Sequence, residues 1–368
     1  MRCAYIIYSQ FFDRNGEKAR IGGIETYIYN LCNVLASIEI CPIIYQFANK
    51  DFIKEYETIK VVGVKVSSAN YKRNSRVLTK KIRKYFDYEN DLLIFASEEY
   101  IVPFNSKNVV AIQHGISWDI PNDRNVWLNY VKNSIRALVE YQRLNKCSRV
   151  VCVDYNFLNW YRAIFKKCDY KKFHIIPNFC DASSIEKVQV QRENMKIVFA
   201  RRFVKHRGAI LFANVAKKIL EKYPDLEICF AGEGMCENEM RQILSGCSNV
   251  TFTSFSSNES VAFHSNFDIA VVPTIGSEGT SLSLLEAMAA GCAVVSTNVG
   301  GITNILIDGY NGSIVNATED DVYSAVDKLI KEQETRRFYA QNGQEIARKA
   351  FSKMLWENKW LNIINSLK

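Results

Sequence analysis

At 368 residues the chain is too long for one ordinary hydrophobic core, and two domains are expected. Hydrophobic residues make up 48% and charged residues 23%, the balance of a soluble globular protein, and no apolar run is long enough to cross a bilayer. The eleven cysteines form no C-x-x-C pair, which points to buried thiols in a reducing, cytoplasmic setting rather than a disulfide frame or zinc site. The net charge of +8 is uneven: residues 1–180 hold 27 Lys and Arg against 17 Asp and Glu, which suggests an anionic partner or surface for that half.

Taken in chain order, short apolar runs alternate with helical stretches and predict two doubly wound α/β domains. The opening MRCAYIIYSQFF is too brief for a secretory signal and reads as the first strand, near Cys3–Ser9. A helix over Thr26–Ser37 and strands near Pro42–Phe47, Asp91–Ala96, Val109–Gln113, Val150–Asp154 and Phe173–Ile176 complete a first domain over residues 1–180. Pro177-Asn178 breaks the chain, and the polar stretch Asp181–Asn194 reads as a linker. The second domain, 195–345, carries strands at Lys196–Ala200, Leu226–Ala231, Val250–Thr253, Ile269–Val272 and Cys292–Val295, with helices over Ala209–Lys222 and Glu237–Ser245. The tail is helical from about Thr335, with Phe338, Phe351, Trp356, Trp360 and Ile364 as anchors.

The most informative stretch is VVPTIGSEGTSLSLLEAMAAGCAVVSTNVGG, Val271 to Gly301. It is a strand–loop–helix–strand unit in which Glu278 and Glu286 bracket a turn of small residues, including Gly276, Gly279, Thr280 and Ser281. Amides at a helix N-terminus suit phosphate oxygens, small residues let a ligand approach the backbone, and carboxylates accept from sugar hydroxyls. Alternatively, Ser283 and Glu286 have the spacing of a capping box, and Glu278 is a solvated loop carboxylate. Arg202, just after a parallel strand, and Arg207, before the next helix, are placed to hold a diphosphate, or are surface arginines beside Lys205 and His206. Gly22-Gly23 before the first helix is a candidate phosphate-facing loop, and Glu25 faces an acceptor or the helix dipole. His114, at the end of a strand, is a site candidate or a structural histidine. Tyr71–Phe86 reads as an amphipathic helix whose Lys72, Arg73, Arg76, Lys80, Lys81, Arg83 and Lys84 suit an anionic bilayer, or as an ordinary solvated helix. There is no aromatic platform for nucleic acid, no D-x-D motif for a carboxylate-held metal, no G-x-G-x-x-G after the first strand and no P-loop.

With these elements in order the chain resembles the family 4 glycosyltransferases of the GT-B fold, nearly end to end. The match rests on the Glu-x7-Glu unit with EAMAAG and VVSTNVGG, then DGYNG at Asp308–Gly312, IIPNFCD at Ile175–Asp181, FARRFVKHRG, and AGEG at Ala231–Gly234. The resemblance implies two facing Rossmann-like domains, with a final helix, 346–368, crossing back to the first. It implies a nucleoside-diphosphate sugar donor, UDP- or GDP-linked, with no other cofactor and no metal. The acceptor would be a saccharide or lipid-linked saccharide, transfer would retain the anomeric configuration, and the protein would sit on the inner face of the cytoplasmic membrane in surface polysaccharide synthesis.

Carried onto this chain, Glu286 would bind ribose hydroxyls and Glu278 the donor sugar. Arg202 and Arg207 would hold the diphosphate. Amides of Gly279, Thr280, Ser281 and Leu282 would contact sugar and phosphate, with Gly22, Gly23 and His114 closing from the first domain. The chain departs from the family pattern at Arg207, where Lys is usual, and at Arg201, where Gly usually precedes the arginine. Two other readings compete: a sugar-nucleotide-binding scaffold without turnover, and a GT-B epimerase that consumes donor with no acceptor.

Overall fold

The computed structural model describes residues 2–20, 22–120, 126–165, 169–181 and 195–367; the expected linker beyond Asp181 lies outside them. The first sheet contains β1 (Cys3–Tyr8), β2 (Cys41–Ala48), β3 (Phe52–Tyr56), β4 (Ile59–Lys65), β5 (Leu92–Phe95), β6 (Val109–Gln113), β7 (Arg149–Cys152) and β8 (Phe173–Ile175). Its order is β3-β4-β2-β1-β5-β6-β7-β8, parallel except for β3. Around it lie α1 (Gly23–Ser37), α2 (Tyr71–Ile82), α3 (Val126–Leu144) and α4 (Tyr155–Ile164).

The second sheet contains β9 (Lys196–Ala200), β10 (Glu227–Ala231), β11 (Val250–Thr253), β12 (Ile269–Val272), β13 (Ala293–Thr297) and β14 (Ser313–Val315), in the order β11-β10-β9-β12-β13-β14. One apolar cluster joins it to α5 (Ala209–Lys222), α6 (Glu237–Ile243) and α9 (Glu319–Lys331). Another joins its opposite face to α7 (Ser260–His264), α8 (Leu282–Ala289) and α10 (Gln333–Ala350). Strands covered on both faces have no solvent side, so LLIF of β5 and IAVV of β12 are wholly buried. Chain order reverses direction between β1 and β5 in one sheet and between β9 and β12 in the other, and such points open a crevice at the strands' carboxyl ends. The fold is mixed α/β with two parallel-sheet units, as the alternating pattern predicts.

The β3–β4 hairpin, β14 and α3 carry no expectation from the sequence. The hairpin escapes because β3 (FIKEY) is a charged edge strand and its turn uses Glu57 at φ 53° instead of Gly or Asn. The tail is two helices, α10 and α11 (Lys353–Asn365), with Ser352 capping the second through Leu355 N–H. Trp356, Trp360 and Ile364 of α11 are buried in the core of the first unit, and Trp360 Nε1 donates a 2.9 Å hydrogen bond to Tyr27 Oη. Phe338 does not anchor: it is 47% exposed on α10. The chain passes between the units twice, and the two crossings touch, since Cys180 N–H donates to Phe351 O at 2.9 Å.

Candidate active site

The carboxyl end of β9 delivers two arginines in succession, and the structure separates them. Arg201 turns inward and Arg202 is exposed. Gly208, at φ 79°, starts α5 where a Cβ would lie 1.9 Å from Pro273 O, so only glycine fits. This brings Arg207 back over the loop that follows β12. There Glu278 Oε2 accepts from Arg201 Nη2, from Arg207 Nη1 at 2.5 Å and from Thr274 Oγ1 at 3.0 Å. The Arg201, Arg207 and Glu278 side chains are 5%, 18% and 8% exposed. Burial alone would raise the Glu278 pKa, but the two guanidiniums outweigh it and hold the carboxyl below its ordinary value.

Arg201 joins Arg207 on Glu278, while Arg202 stays exposed at the same strand end. Glu278 is not a solvated loop carboxylate; its charge is balanced inside the protein by two arginines, with Oε1 taking none of these three bonds. The preceding Ser277 sits at φ 56°, a conformation uncommon outside glycine.

Glu286 lies on α8, and the capping-box alternative does not form: Ser281 is the N-cap and makes no side-chain cap bond. Glu286 Oε2 accepts instead from Ser260 Oγ of α7 at 2.6 Å. With that single hydroxyl donor, burial raises its pKa to about 7. Further hydroxyl donors would stabilise its anionic form.

From the first sheet, His114 follows β6. Its Nε2 lies 2.9 Å from Ala96 O, and its ring meets Tyr27 edge-on at 5.3 Å. A carbonyl only accepts, so Nε2 carries the proton and Nδ1 is left as an acceptor. Burial lowers the pKa to about 4, so the ring is neutral near pH 7. Gly22 is the N-cap of α1, and a Cβ on Gly23 would lie 3.3 Å from Leu282 Cδ1, which places this loop against the start of α8. Glu25, in the first turn, accepts from Tyr8 Oη at 2.6 Å.

The small residues of the Glu278–Glu286 loop serve the seam between the units. A Cβ on Gly279 would lie 2.7 Å from both His114 O and Val153 Cγ2, and one on Gly115 would lie 2.9 Å from Gly279 N. Thr280 Oγ1 donates to Val153 O, and Thr280 O accepts from Asn178 Nδ2 at 2.6 Å. At Gly279, then, the close approach anticipated for a ligand is made by the first unit's own backbone.

The basic segment beginning at Tyr71 is helical, capped by Asn70, but its apolar side faces inward: Leu78 and Ile82 are buried in the first core. Lys81 pairs with Asp51 at 2.7 Å, and Arg83 donates to Pro103 O at 2.8 Å. Of the four residues expected on its apolar face, Leu78 and Ile82 thus turn to the core, while Tyr71 and Tyr85 stay exposed. No described helix is long and apolar enough to cross a membrane.

Residues 182–346 match the family model of the glycosyl transferases group 1. That stretch, which holds the second parallel-sheet unit, carries this glycosyltransferase family's pattern. It is 24% identical to an uncharacterized glycosyltransferase of Methanocaldococcus jannaschii, over 89% of this chain and 90% of that one. It is 27% identical to a phosphatidyl-myo-inositol mannosyltransferase of Mycolicibacterium smegmatis, over 46% of each. Among solved structures, this glycosyltransferase superposes on sucrose-phosphate synthase from Thermosynechococcus elongatus with a TM-score of 0.79 at 16% identity, covering 100% and 99% of the two chains. It superposes on Anabaena HepE, solved with UDP and glucose, with a TM-score of 0.74 at 14% identity, covering 99% of each. These likenesses establish the GT-B fold.

Proposed function

We propose that this glycosyltransferase moves a sugar from a UDP- or GDP-sugar to a hydroxyl of a saccharide or lipid-linked saccharide, retaining anomeric configuration and needing no metal. The setting is the assembly of a bacterial surface polysaccharide at the inner face of the cytoplasmic membrane. One observation carries the reading: a buried cluster of Arg201, Arg207 and Glu278, with one positive charge in excess, lies at the β9–β12 crevice. A diphosphate is the anion such a crevice suits, and the start of α8 adds amide donors. HepE, with the same fold, was solved with UDP-glucose.

In this reading Glu286 accepts from the ribose hydroxyls, and Arg207, backed by Arg201, holds the diphosphate. His114 Nδ1 accepts from a hydroxyl of the donor sugar. The bond from the anomeric carbon to the diphosphate oxygen breaks, and the arginines stabilise the departing charge. The acceptor oxygen bonds to the same face of that carbon, and its proton passes to the departing phosphate. The acceptor side is the cavity of about 220 Å³ lined by Asn70, Tyr71, Lys72, Glu99 and Arg143. Ring contacts from Tyr71 through Tyr100 to Tyr8 connect it to Glu25.

The test is turnover: UDP- and GDP-sugars with a panel of saccharide and lipid-linked acceptors, scored by nucleoside diphosphate release, with product configuration read by NMR. Acceptor-dependent release with a retained anomer supports the reading. Nucleotide binding without release, or donor consumed with no acceptor, would move the assignment to the scaffold or the epimerase.

A further inference from the structure

We infer that α3 is a docking helix: its exposed apolar face seats the protein on an anionic lipid bilayer. On this helix Ala137, Glu140 and Leu144 are buried. Trp127, Leu128, Val131, Ile135, Leu138 and Val139 are between 37% and 76% exposed. At about 100° per residue these six fall within an arc of about 120°, the width of a stripe that a globular helix normally turns to its core. Here it is turned to solvent.

The charges beside the stripe name the occupant. From Val126 to Val139 there is no Asp or Glu, and the charged residues are Lys132 and Arg136, both exposed. At the helix's C-terminal end Arg143 and Lys146 come together with Lys72 and Arg76 of α2, whose charges, after burial, lower the Lys146 pKa. An apolar stripe with Trp and Tyr at one end and Lys132 and Arg136 beside it suits the interface of an anionic membrane. A second copy of this chain on the same face would bring Lys132 and Arg136 toward their own counterparts, which like-charge repulsion opposes. At 19 residues with Lys132, Arg136, Glu140 and Arg143 in it, the helix lies in the interface plane instead of crossing.

The surface stands on exposure and charge alone, so it goes beyond the transfer reaction and does not depend on it. It puts the membrane contact on α3, with the cations of α2 at its edge, and sets the cavity at Tyr71 and Arg143 beside the lipid headgroups.

The experiment is co-sedimentation of the full chain with vesicles of phosphatidylcholine alone and of phosphatidylcholine and phosphatidylglycerol in equal parts, without nucleotide. The expected result is pelleting with the anionic vesicles, weakened at least about tenfold in the Leu128→Glu, Ile135→Glu double variant. A Lys132→Gln, Arg136→Gln variant should lose most of the preference for anionic over neutral vesicles. All four positions are exposed, so both variants should melt like wild type and keep its nucleotide-induced thermal shift. That shift reports on donor binding separately, so the two readings fail independently. Wild type that stays in the supernatant, or a double variant that pellets like wild type, would overturn the inference. So would sedimentation velocity showing a wild-type dimer that the double variant breaks, since the face would then belong to a second copy.

Discussion

Arg207 Nη1 lies 2.5 Å from Glu278 Oε2, so a residue expected to hold phosphate is tied directly to one expected to touch sugar. Arg201 completes the set, and the three side chains act as one buried charged unit. Removing Arg201 leaves Glu278 paired with Arg207 alone and so loses one buried charge-assisted hydrogen bond, worth about 1.5–3 kcal/mol. Arg201→Ala should therefore destabilise the fold by about that amount, while the exposed Arg202→Ala should change it by less than about 0.5 kcal/mol. Urea denaturation of the two variants checks this, and equal destabilisation would reject the inward placement of Arg201.

Glu286 makes nucleotide binding pH-dependent. Its pKa of about 7 in the free protein lies above the ordinary 4.5, so its stability contribution is present below pH 4.5 and is lost as pH rises through about 7. Ligand hydroxyls favour the anion, so affinity for a nucleoside diphosphate should rise with pH up to about 7 and then level off. The slope below that point should approach a tenfold gain per pH unit. Calorimetric titrations across this range should show the slope in wild type and none in Glu286→Gln.

His114 contributes with the opposite sign. Burial depresses its pKa to about 4 from 6.5, so its stabilising contribution is present above pH 6.5 and is lost as pH falls through about 4. His264, buried and likewise depressed to about 4, adds to the same acid loss. His114→Gln should melt less steeply with acid than wild type in thermal scans across that window, and a histidine NMR titration should find its imidazole neutral at pH 6.5.

Gly279→Ala separates closure from binding. The added methyl would meet His114 O and Val153 Cγ2 at 2.7 Å, so the seam must part. Misplacing reacting groups by about 1 Å can lower turnover about 100-fold. Turnover should fall by that order while nucleotide affinity stays near wild type; loss of both together would place Gly279 against the ligand instead.

Much of this was legible because parallel strands buried on both faces are bare apolar runs, as at LLIF and IAVV, and because Trp356, Trp360 and Ile364 stand out in a polar tail. The Glu278 to Glu286 unit was legible because glycines, hydroxyls and acids rarely cluster before a helix without reason. Which of two adjacent arginines turns inward was not, since both follow the same strand end and only packing against Thr274 and Glu278 distinguishes them. The seam role of Gly279 depends on residues over a hundred positions away. α2 shows what a basic amphipathic segment leaves open: amphipathicity says that a face is apolar but not where it points, and here Leu78 and Ile82 point inward while the stripe on α3 points out.

The most direct measurement is calorimetric titration of UDP and GDP into wild type, Arg207→Ala and Arg202→Ala. One nucleotide should bind wild type, and Arg207→Ala should weaken it about 10- to 100-fold, the loss of a charge-assisted contact. Arg202→Ala should retain most of the affinity. Binding of neither nucleotide, or equal affinity in all three proteins, would contradict the placement of a diphosphate at the Arg201–Arg207–Glu278 cluster.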